Sequence, residues 1–356
     1  MLIGIEAERA NHPQKTGVEH YAKQLILHLA KLDRKNNYVL YLRSKPQDWF
    51  FGLPKNFKIK VMPFPIFWTQ IRISLEMFWN SVDVLMIPAS ALPIIHPKRS
   101  VITIHDIAWK FFPESFTWFN RTFLEISTGF AVDNARRIIT VSASTKRDLF
   151  RYYQVPLDKI FVVHHGYEEF KQKREEIQGL PEKYILFLST LQPRKNIPGL
   201  IEAFRQLKRE YPDLPHKLVI AGKPGWLYED ILKVIEQNKD ITLYLNHVSD
   251  NQRFDLLSRA DLMVLPSFYE GFGMQILEAF EAGCPVATSN VSSIPEVAGE
   301  AAVYFDPKNV FEIKNAVKSV LFDQSLAESL RQKGRECLKD FSWEKSAAET
   351  LKILTT

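Results

Sequence analysis

The 356-residue sequence has few cysteines and no hydrophobic run long enough to cross a membrane. Only Cys284 and Cys337 occur, and they lack the spacing of metal ligands, which predicts reduced thiols in a cytoplasmic compartment. No stretch reaches the roughly 18 apolar residues that a spanning helix needs. Glu6 and Glu8 stand where a secretory signal would have its apolar segment, so we expect no export.

Clusters of basic and aromatic residues are also lacking, which argues against nucleic-acid binding. The net charge of +5 is unevenly distributed. Residues 1–170 contain 22 Lys/Arg against 15 Asp/Glu, a net of +7, and the remainder contains 24 against 26, a net of −2. The basic half could face an anionic membrane or an anionic substrate, or it could be an ordinary solvated surface.

Length and composition predict a soluble globular chain with two domains, since 46% of the residues are hydrophobic and 24% are charged. Short apolar runs alternate with helical patterns, which predicts parallel α/β sheets covered on both faces. The predicted strands are 2–7, 38–42, 82–87, 100–104, 137–141 and 161–165, then 184–188, 217–221, 241–245, 261–265 and 285–288. Residues 168–183 lack an apolar rhythm and are interpreted as a linker between two halves with a cleft between them.

Aromatic residues are concentrated in residues 64–79, at nearly helical spacing. A core helix or a helix lining an acceptor cleft is the favoured interpretation of this segment, and a membrane-surface helix is the alternative. Further along, Ser142 is predicted to cap a helix that begins near Thr145.

The stretch from Pro266 to Ser289 carries the strongest indication of a binding site. A predicted strand leads through a loop with Glu270 into a helix with Glu278, and two glycines flank Phe272. Such a turn directs free backbone N–H groups and the positive end of the helix dipole towards a ligand, which favours a phosphate. Spacing alone supports two interpretations equally. Glu270 and Glu278 either contact two parts of one ligand, or they are ordinary carboxylates, of which Glu270 caps the loop and Glu278 is solvated.

Six segments, in register over nearly the whole chain, resemble the retaining glycosyltransferases of family four, which adopt the GT-B fold of two Rossmann-like domains facing a central cleft. Glu270-Gly-Phe-Gly followed by Glu278-Ala-Phe-Glu-Ala-Gly-Cys-Pro-Val is similar to the family's pair of glutamates eight positions apart. The other segments begin at Thr16, Thr103, Arg137, Leu191 and Thr288, and a late Phe341-Ser-Trp-Glu-Lys also fits. The resemblance implies an N-terminal acceptor domain over residues 1–168, a nucleotide-sugar donor domain over 169–340, and a C-terminal helix, 341–356, that packs back on the first domain.

The resemblance also implies roles for residues of the donor domain. Glu278 is expected to bind the ribose hydroxyls and Glu270 the transferred sugar, while Arg194 and Lys195 neutralise the diphosphate. The backbone around Phe272, Gly273 and Met274 is expected to contact the sugar or the distal phosphate, and Val248 is expected to lie at the base.

Two residues of the first half receive roles on the same ground. Gly17 should let the first loop approach the diphosphate, and His105 should contact the transferred sugar or the acceptor. The catalytic set implied by the resemblance is therefore Glu270, Lys195, Arg194 and His105.

Two further properties follow from the resemblance together with the residue types. Retention of the anomeric configuration is implied by the family. No Asp-x-Asp motif stands at a predicted strand end, and Arg194, Lys195 and a helix N-terminus can replace Mg²⁺ at a diphosphate, so we predict that no metal ion is needed. No other cofactor is expected beyond the nucleotide-sugar co-substrate.

One departure from the family pattern concerns the phosphate site. Many relatives have Gly-Arg after the first strand of the second domain, where this chain has Ser189-Thr190. The change removes one phosphate-binding arginine and makes Arg194 and Lys195 more critical.

The predicted function is transfer of a hexose, mannose or glucose, from a GDP- or UDP-sugar to a glycan or lipid-linked glycan in surface-polysaccharide assembly. Peripheral membrane contact through the basic N-terminal domain would suit a lipid-linked acceptor. The alternatives are a catalytically silent nucleotide- or carbohydrate-binding protein and a same-fold epimerase or phosphorylase.

Overall fold

The protein is described by a computed structural model that covers residues 1–13, 17–167 and 175–356. Contacts divide these residues into two compact units. Unit 1 comprises Met1–Ile107, Trp118–Gly166 and Phe341–Thr356. Unit 2 comprises Ala108–Thr117 and Tyr167–Asp340, so the segment Ala108–Thr117, which the sequence placed in the first domain, packs with the second unit.

Each unit is built on one parallel sheet, ordered β3-β2-β1-β4-β5-β6-β7 in unit 1 and β10-β9-β8-β11-β12-β13 in unit 2. The strands are β1 (Leu2–Glu6), β2 (Asn37–Leu42), β3 (Phe57–Val61), β4 (Val84–Ile87), β5 (Ser100–Ile104), β6 (Arg137–Thr140), β7 (Ile160–Val162), β8 (Tyr184–Leu188), β9 (Lys217–Ala221), β10 (Thr242–Leu245), β11 (Leu262–Leu265), β12 (Val286–Ser289) and β13 (Ala302–Phe305). The α/β prediction is therefore confirmed.

The helices are α1 (Gly17–Leu32), α2 (Ser74–Trp79), α3 (Ala108–Phe111), α4 (Trp118–Asn134), α5 (Ala143–Tyr153), α6 (Ile197–Glu210), α7 (Glu229–Gln237), α8 (Asp250–Arg259), α9 (Met274–Glu281), α10 (Ile294–Ala298), α11 (Val310–Phe322), α12 (Gln324–Cys337) and α13 (Trp343–Thr355). Helices α1 to α10 lie in the connections between parallel strands, as crossovers of this kind require, and α11 to α13 follow the last strand. No helix in the described ranges is long and apolar enough to cross a membrane.

The predicted cap of α5 is confirmed, because the Ser142 side chain accepts a hydrogen bond from the Thr145 backbone N–H. The centre of each sheet is completely buried, which explains the near-continuous apolar runs in its strands. In unit 2 the strands β8, β9 and β11 pack against α6 and α11 around Phe187, Phe204 and Phe305.

Several boundaries differ from the predicted ones. The strand predicted at 82–87 begins at Val84, and the one predicted at 161–165 is only Ile160–Val162. Strands β3 and β13, at outer positions of their sheets, were not predicted. After the last strand, α11 and α12 are separate helices, because Asp323 caps the second one by accepting a 2.9 Å hydrogen bond from the Leu326 N–H.

The aromatic segment 64–79 is not one regular helix. Phe67 has a left-handed backbone (φ 49°), a π-helical turn covers Trp68–Ile73, and α2 follows. Trp68 is buried, but Phe78 and Trp79 are about two-thirds exposed. The prediction of a core helix is therefore wrong for residues 64–79 as a whole, because the π-helical turn changes which direction the following apolar side chains face.

Candidate active site

The stretch singled out in the sequence forms a strand, a loop and a helix in unit 2. Strand β11 ends at Leu265, the loop runs to Gly273, and α9 starts at Met274. Gly273 has a left-handed backbone with φ 101°, a conformation that a residue with a side chain rarely adopts. The loop therefore leaves the carboxyl end of β11, where open α/β sheets bind their ligands.

Glu270 lies at the centre of a buried group of charges. Its Oε1 is 2.5 Å from Lys195 Nζ, and its Oε2 is 3.2 Å from Arg194 Nη1. The Ser267 hydroxyl donates a third hydrogen bond to Oε1, at 2.7 Å. The side chains of Lys195 and Glu270 are 4% and 7% exposed, so the pair is shielded from solvent. The structure thus joins three of the predicted site residues in one network.

The Glu270 carboxylate is ionised at neutral pH. Burial alone would raise its pKa, but the neighbouring charges of Lys195 and Arg194 and the hydrogen bonds from Lys195 and Ser267 outweigh burial and lower the pKa to about 2. The network of Arg194, Lys195 and Glu270 therefore consists of two cations and one anion, and its net positive charge favours an anionic ligand.

The backbone on either side of Glu270 is also fixed. The Glu270 N–H donates to the Ser292 hydroxyl at 2.9 Å, and the Ser293 hydroxyl hydrogen-bonds the carbonyls of Glu270 and Phe272 at 2.8 and 3.0 Å. These two serines, in the turn before α10, were not singled out in the sequence. They hold the loop so that the position of Glu270 is set before a ligand arrives.

Arg194 and Lys195 are presented by a short 3₁₀ turn, Pro193–Lys195, that leads into α6. Asn196 follows in a left-handed conformation, φ 54°, and its side-chain amide donates to the Pro307 carbonyl at 2.7 Å. Arg194 is tied to the loop before Glu270 in two ways. Its Nη1 donates to the Tyr269 carbonyl at 2.9 Å, and its own carbonyl accepts from the Phe268 N–H at 2.9 Å.

Aromatic stacking against the same loop comes from the segment Ala108–Thr117. The ring of Phe111 stacks on Tyr269 with centroids 4.8 Å apart, and Phe112 lies 6.1 Å from Phe268. Nothing in the sequence indicated these contacts, because they join parts of unit 2 that are distant along the chain.

Glu278 lies in the second turn of α9, where its side chain is 17% exposed and its Oε1 is 3.0 Å from Arg253 Nη1. Arg253 also contacts Asp250, at 2.9 Å, within α8. That helix follows the loop containing Val248, and a capping box of Ser249 and Gln252 fixes its first turn. Arg253, which was not singled out in the sequence, thus links Glu278, the residue predicted to bind the ribose, to the helix that follows the loop predicted to bind the base.

Gly17 and His105 belong to unit 1, and the other eight predicted residues belong to unit 2. Gly17 begins α1, and a Cβ there would meet no atom within 4 Å. His105 Nε2 lies 3.1 Å from the Pro88 carbonyl, which can only accept, so the ring proton is on Nε2. Burial lowers the pKa of His105, which leaves a neutral ring with Nδ1 as an acceptor.

The His105 ring is held in place by its neighbours in unit 1. It packs edge-on against Tyr21, with centroids 5.0 Å apart, and stacks on His165 at 5.5 Å. The described residues contain no group of three His, Cys, Asp or Glu side chains that could hold a metal ion.

Comparison of the chain with known proteins identifies its family. Residues 15–169 match the description "Glycosyltransferase Family 4", and residues 168–337 match "Glycosyl transferases group 1". O-antigen chain mannosyltransferase B of Escherichia coli is 33% identical over 265 residues, covering 71% of this chain and 69% of that protein. O-antigen chain mannosyltransferase RfbU of Salmonella typhimurium is 25% identical, with the same coverage.

Among solved structures, the lipopolysaccharide glycosyltransferase WaaG superposes over the full length of both chains with a TM-score of 0.74, at 15% identity. The two sheets and their order along the chain thus have the GT-B architecture. The chain belongs to glycosyltransferase family 4 and is a glycosyltransferase, as the sequence resemblance predicted.

Proposed function

We propose that this glycosyltransferase moves a mannosyl residue from a nucleoside-diphosphate sugar to a glycan or lipid-linked glycan during cell-surface polysaccharide assembly. The observation that carries the proposal is the buried network of Arg194, Lys195 and Glu270 at the carboxyl end of the unit 2 sheet. The choice of mannose is supported by the O-antigen mannosyltransferases that the chain resembles.

The chemistry assigned to this network is stabilisation of charge. When the bond between the sugar C1 and the diphosphate oxygen breaks, negative charge moves onto the diphosphate and positive charge develops at C1. Arg194 and Lys195 neutralise the first, and the ionised Glu270 faces the second. Glu278 binds the ribose hydroxyls, and Val248 presents its backbone to the base. For unit 1, the family resemblance assigns Gly17 to the diphosphate and His105, whose Nδ1 can accept a hydrogen bond, to a sugar or acceptor hydroxyl.

Retention of configuration fits a front-face route in which the acceptor oxygen bonds to C1 on the side that the diphosphate leaves. The acceptor proton then passes to a departing phosphate oxygen, so no enzyme nucleophile is required. The three hydrogen bonds to Glu270 support this route, because they make its carboxylate a weaker nucleophile.

A panel of donors tests the proposal. GDP-mannose, UDP-glucose, ADP-glucose and UDP-N-acetylglucosamine would each be incubated with the protein, and release of the nucleoside diphosphate would be followed with and without an O-antigen-type acceptor. We expect one donor to be turned over, with release stimulated by acceptor. Binding of a donor without any release would support the silent binding protein, and formation of a free isomerised sugar nucleotide would support the epimerase.

Metal independence is the second prediction for this assay. Because two side-chain cations face the diphosphate, turnover is expected to persist within about twofold in excess EDTA. Loss of activity in EDTA, with recovery on adding Mn²⁺ or Mg²⁺, would contradict the prediction.

Contact with the cytoplasmic face of a membrane is proposed for unit 1. Helix α4 carries an exposed apolar face at helical spacing, in which Phe119 and Ile126 are 65% and 68% exposed, and Trp118 is 72% exposed. An apolar face outside a basic unit suits the interface of an anionic bilayer.

The double variant Phe119→Ser/Ile126→Ser should co-sediment less with anionic vesicles than Phe51→Ser, a control that removes an equally exposed ring elsewhere in unit 1. Equal sedimentation of the two variants would rule out this face.

A further inference from the structure

Three arginines converge at the amino ends of neighbouring strands in unit 1. Arg99 precedes β5, and Arg136 and Arg137 stand at the start of β6, the next strand in the sheet. Together they line one small cavity with the side chains of β4 and β5 and the last residues of α13. The cavity lies at the opposite end of these strands from His105, which follows the carboxyl end of β5. It is therefore separate from the predicted contacts of unit 1 with the sugar.

Two of the arginines cap the carboxyl end of α13. Arg137 Nη1 donates to the Ile353 carbonyl at 2.6 Å and to the Thr356 hydroxyl at 2.5 Å, and Arg99 Nη2 donates to the Leu354 carbonyl at 3.3 Å. A helix carboxyl end offers only about half a negative charge. Capping therefore explains the positions of Arg99 and Arg137, but half a negative charge does not balance three guanidinium groups.

The surplus charge is not balanced by a neighbouring acid. Within the described ranges, no Asp or Glu side chain forms an ion pair with Arg99, Arg136 or Arg137, and none lines the cavity. Burial, and after it the like charges of Arg136 and Arg99, lower the pKa of Arg137. The backbone N–H of Arg136 donates to the Ser100 carbonyl at 2.9 Å, but its exposed side chain makes no hydrogen bond or ion pair with any residue that the structure describes. Helix capping therefore gives no reason for this guanidinium group at the cavity.

We propose that Arg99, Arg136 and Arg137 form a binding site for a phosphate-class anion. The planar guanidinium group presents five N–H donors in a fork that matches phosphate oxygens. Three such groups around one opening can satisfy several oxygens of a dianion, while the apolar wall from Val84, Val101 and Leu354 keeps the site shielded on one side. A free phosphate and the phosphate of a lipid headgroup offer the same oxygens, and the two arms of the experiment below distinguish them. The proposal does not depend on the donor specificity of unit 2.

Arg136→Gln is the informative variant, because it removes one charge without breaking a contact to α13. Arg34→Gln is the matched control, since Arg34 is an exposed arginine that precedes β2 in the same sheet. In the first arm, the melting temperature of each protein is followed against inorganic phosphate, with chloride at equal ionic strength as reference. A ligand that binds the folded state raises the melting temperature with its concentration.

We expect the apparent phosphate affinity of Arg136→Gln to be at least about tenfold weaker than that of the wild type and of Arg34→Gln, because a charge-assisted hydrogen-bond partner is lost. In chloride alone, Arg136→Gln should melt at a higher temperature than the wild type, since like-charge repulsion is relieved. Phosphate bound at the donor site of unit 2 contributes equally to all three proteins and cancels in the comparison.

The second arm separates the two sources of phosphate. Co-sedimentation is measured with vesicles of phosphatidylcholine alone and of phosphatidylcholine mixed with phosphatidylglycerol. If Arg136→Gln binds the anionic vesicles more weakly than Arg34→Gln does, and the two variants bind the phosphatidylcholine vesicles equally, the site is assigned to a lipid headgroup. A difference confined to the melting arm would assign it to a soluble phosphate. Identical behaviour of the three proteins in both arms would overturn the proposal and leave the arginines as caps of α13.

Discussion

Replacing Lys195 with methionine is expected to lower turnover about 10²–10³-fold, with little change in the Michaelis constant for the donor, since this is the usual cost of removing one group that stabilises developing charge. The ammonium is buried beside Glu270, where low hydration strengthens its interaction with a diphosphate. Because the diphosphate gains negative charge only as the sugar departs, the loss falls mainly on the transition state. Steady-state kinetics with the preferred donor measures the two parameters separately.

The same substitution should also destabilise the fold, and a double variant separates the two effects. Without Lys195, the buried Glu270 carboxylate keeps only Arg194 as a charged partner, and breaking a buried ion pair typically costs about 3–5 kcal/mol. In Lys195→Met/Glu270→Gln the unpaired charge is gone, so the free energy of unfolding in urea should partly recover while turnover stays low. Lys233→Met is the control, because Lys233 is 71% exposed and forms only a surface pair with Asp230. Recovery of turnover in the double variant, or a change in the Michaelis constant alone, would contradict the assigned role.

Glu270→Gln is expected to lower turnover by about 10²-fold or more while keeping the size of the side chain. The variant loses the negative charge that is proposed to face the developing positive centre, and it removes the counter-charge that Glu270 gives to Lys195 and Arg194. Nucleoside-diphosphate binding should weaken less than turnover, since the extra positive charge favours an anionic ligand. Unchanged turnover in Glu270→Gln would exclude a role for this carboxylate in charge stabilisation.

The stability of this variant should depend on pH in a defined window. The pKa of Glu270 is lowered to about 2 in the folded protein, from a reference value of 4.5. A depressed carboxylate pKa contributes stability that is complete above the unfolded value and is lost as the pH falls through the folded value. The wild type should therefore exceed Glu270→Gln in unfolding free energy at pH 6–7, and the difference should shrink between about pH 4.5 and 2. A gap that is constant with pH would mean that Glu270 is not held ionised by its partners.

Local patterns in the sequence predicted most of the fold. Buried parallel strands have continuous apolar runs, so β8, β9, β11 and their counterparts in unit 1 stand out, and Ser142 marks a helix start by its own side chain. Strand β3 has lysines at alternate positions and pairs on one side only, which makes it resemble a surface segment. The aromatic segment around Phe67 was wrongly predicted to be one helix. A π-helical turn shifts its periodicity, and a regular α-helical pattern does not anticipate that shift.

The candidate site was predicted in its residue types but not in its connections. The E-x7-E spacing and the Arg194-Lys195 pair were visible in the sequence, yet the contact between Lys195 and Glu270 joins positions 75 residues apart. Arg253 shows the same limit, because its spacing from Asp250 is that of an ordinary helix pair, whereas its partner Glu278 lies on another helix. Such pairings are set by the packing of α6, α8 and α9 on one sheet, and a single sequence carries no signal for them.

Titration calorimetry of nucleoside diphosphates with the wild type and Glu278→Ala tests most directly whether unit 2 is a nucleotide-sugar site. Glu278 is predicted to accept hydrogen bonds from the ribose hydroxyls, so its loss should weaken binding of the preferred nucleoside diphosphate by about 1.5–3 kcal/mol, at least a tenfold change in affinity. Arg253→Gln, which removes the partner of Glu278 but not the carboxylate, should cause a smaller loss. Equal affinity of the wild type and Glu278→Ala for GDP, UDP and ADP would contradict the account.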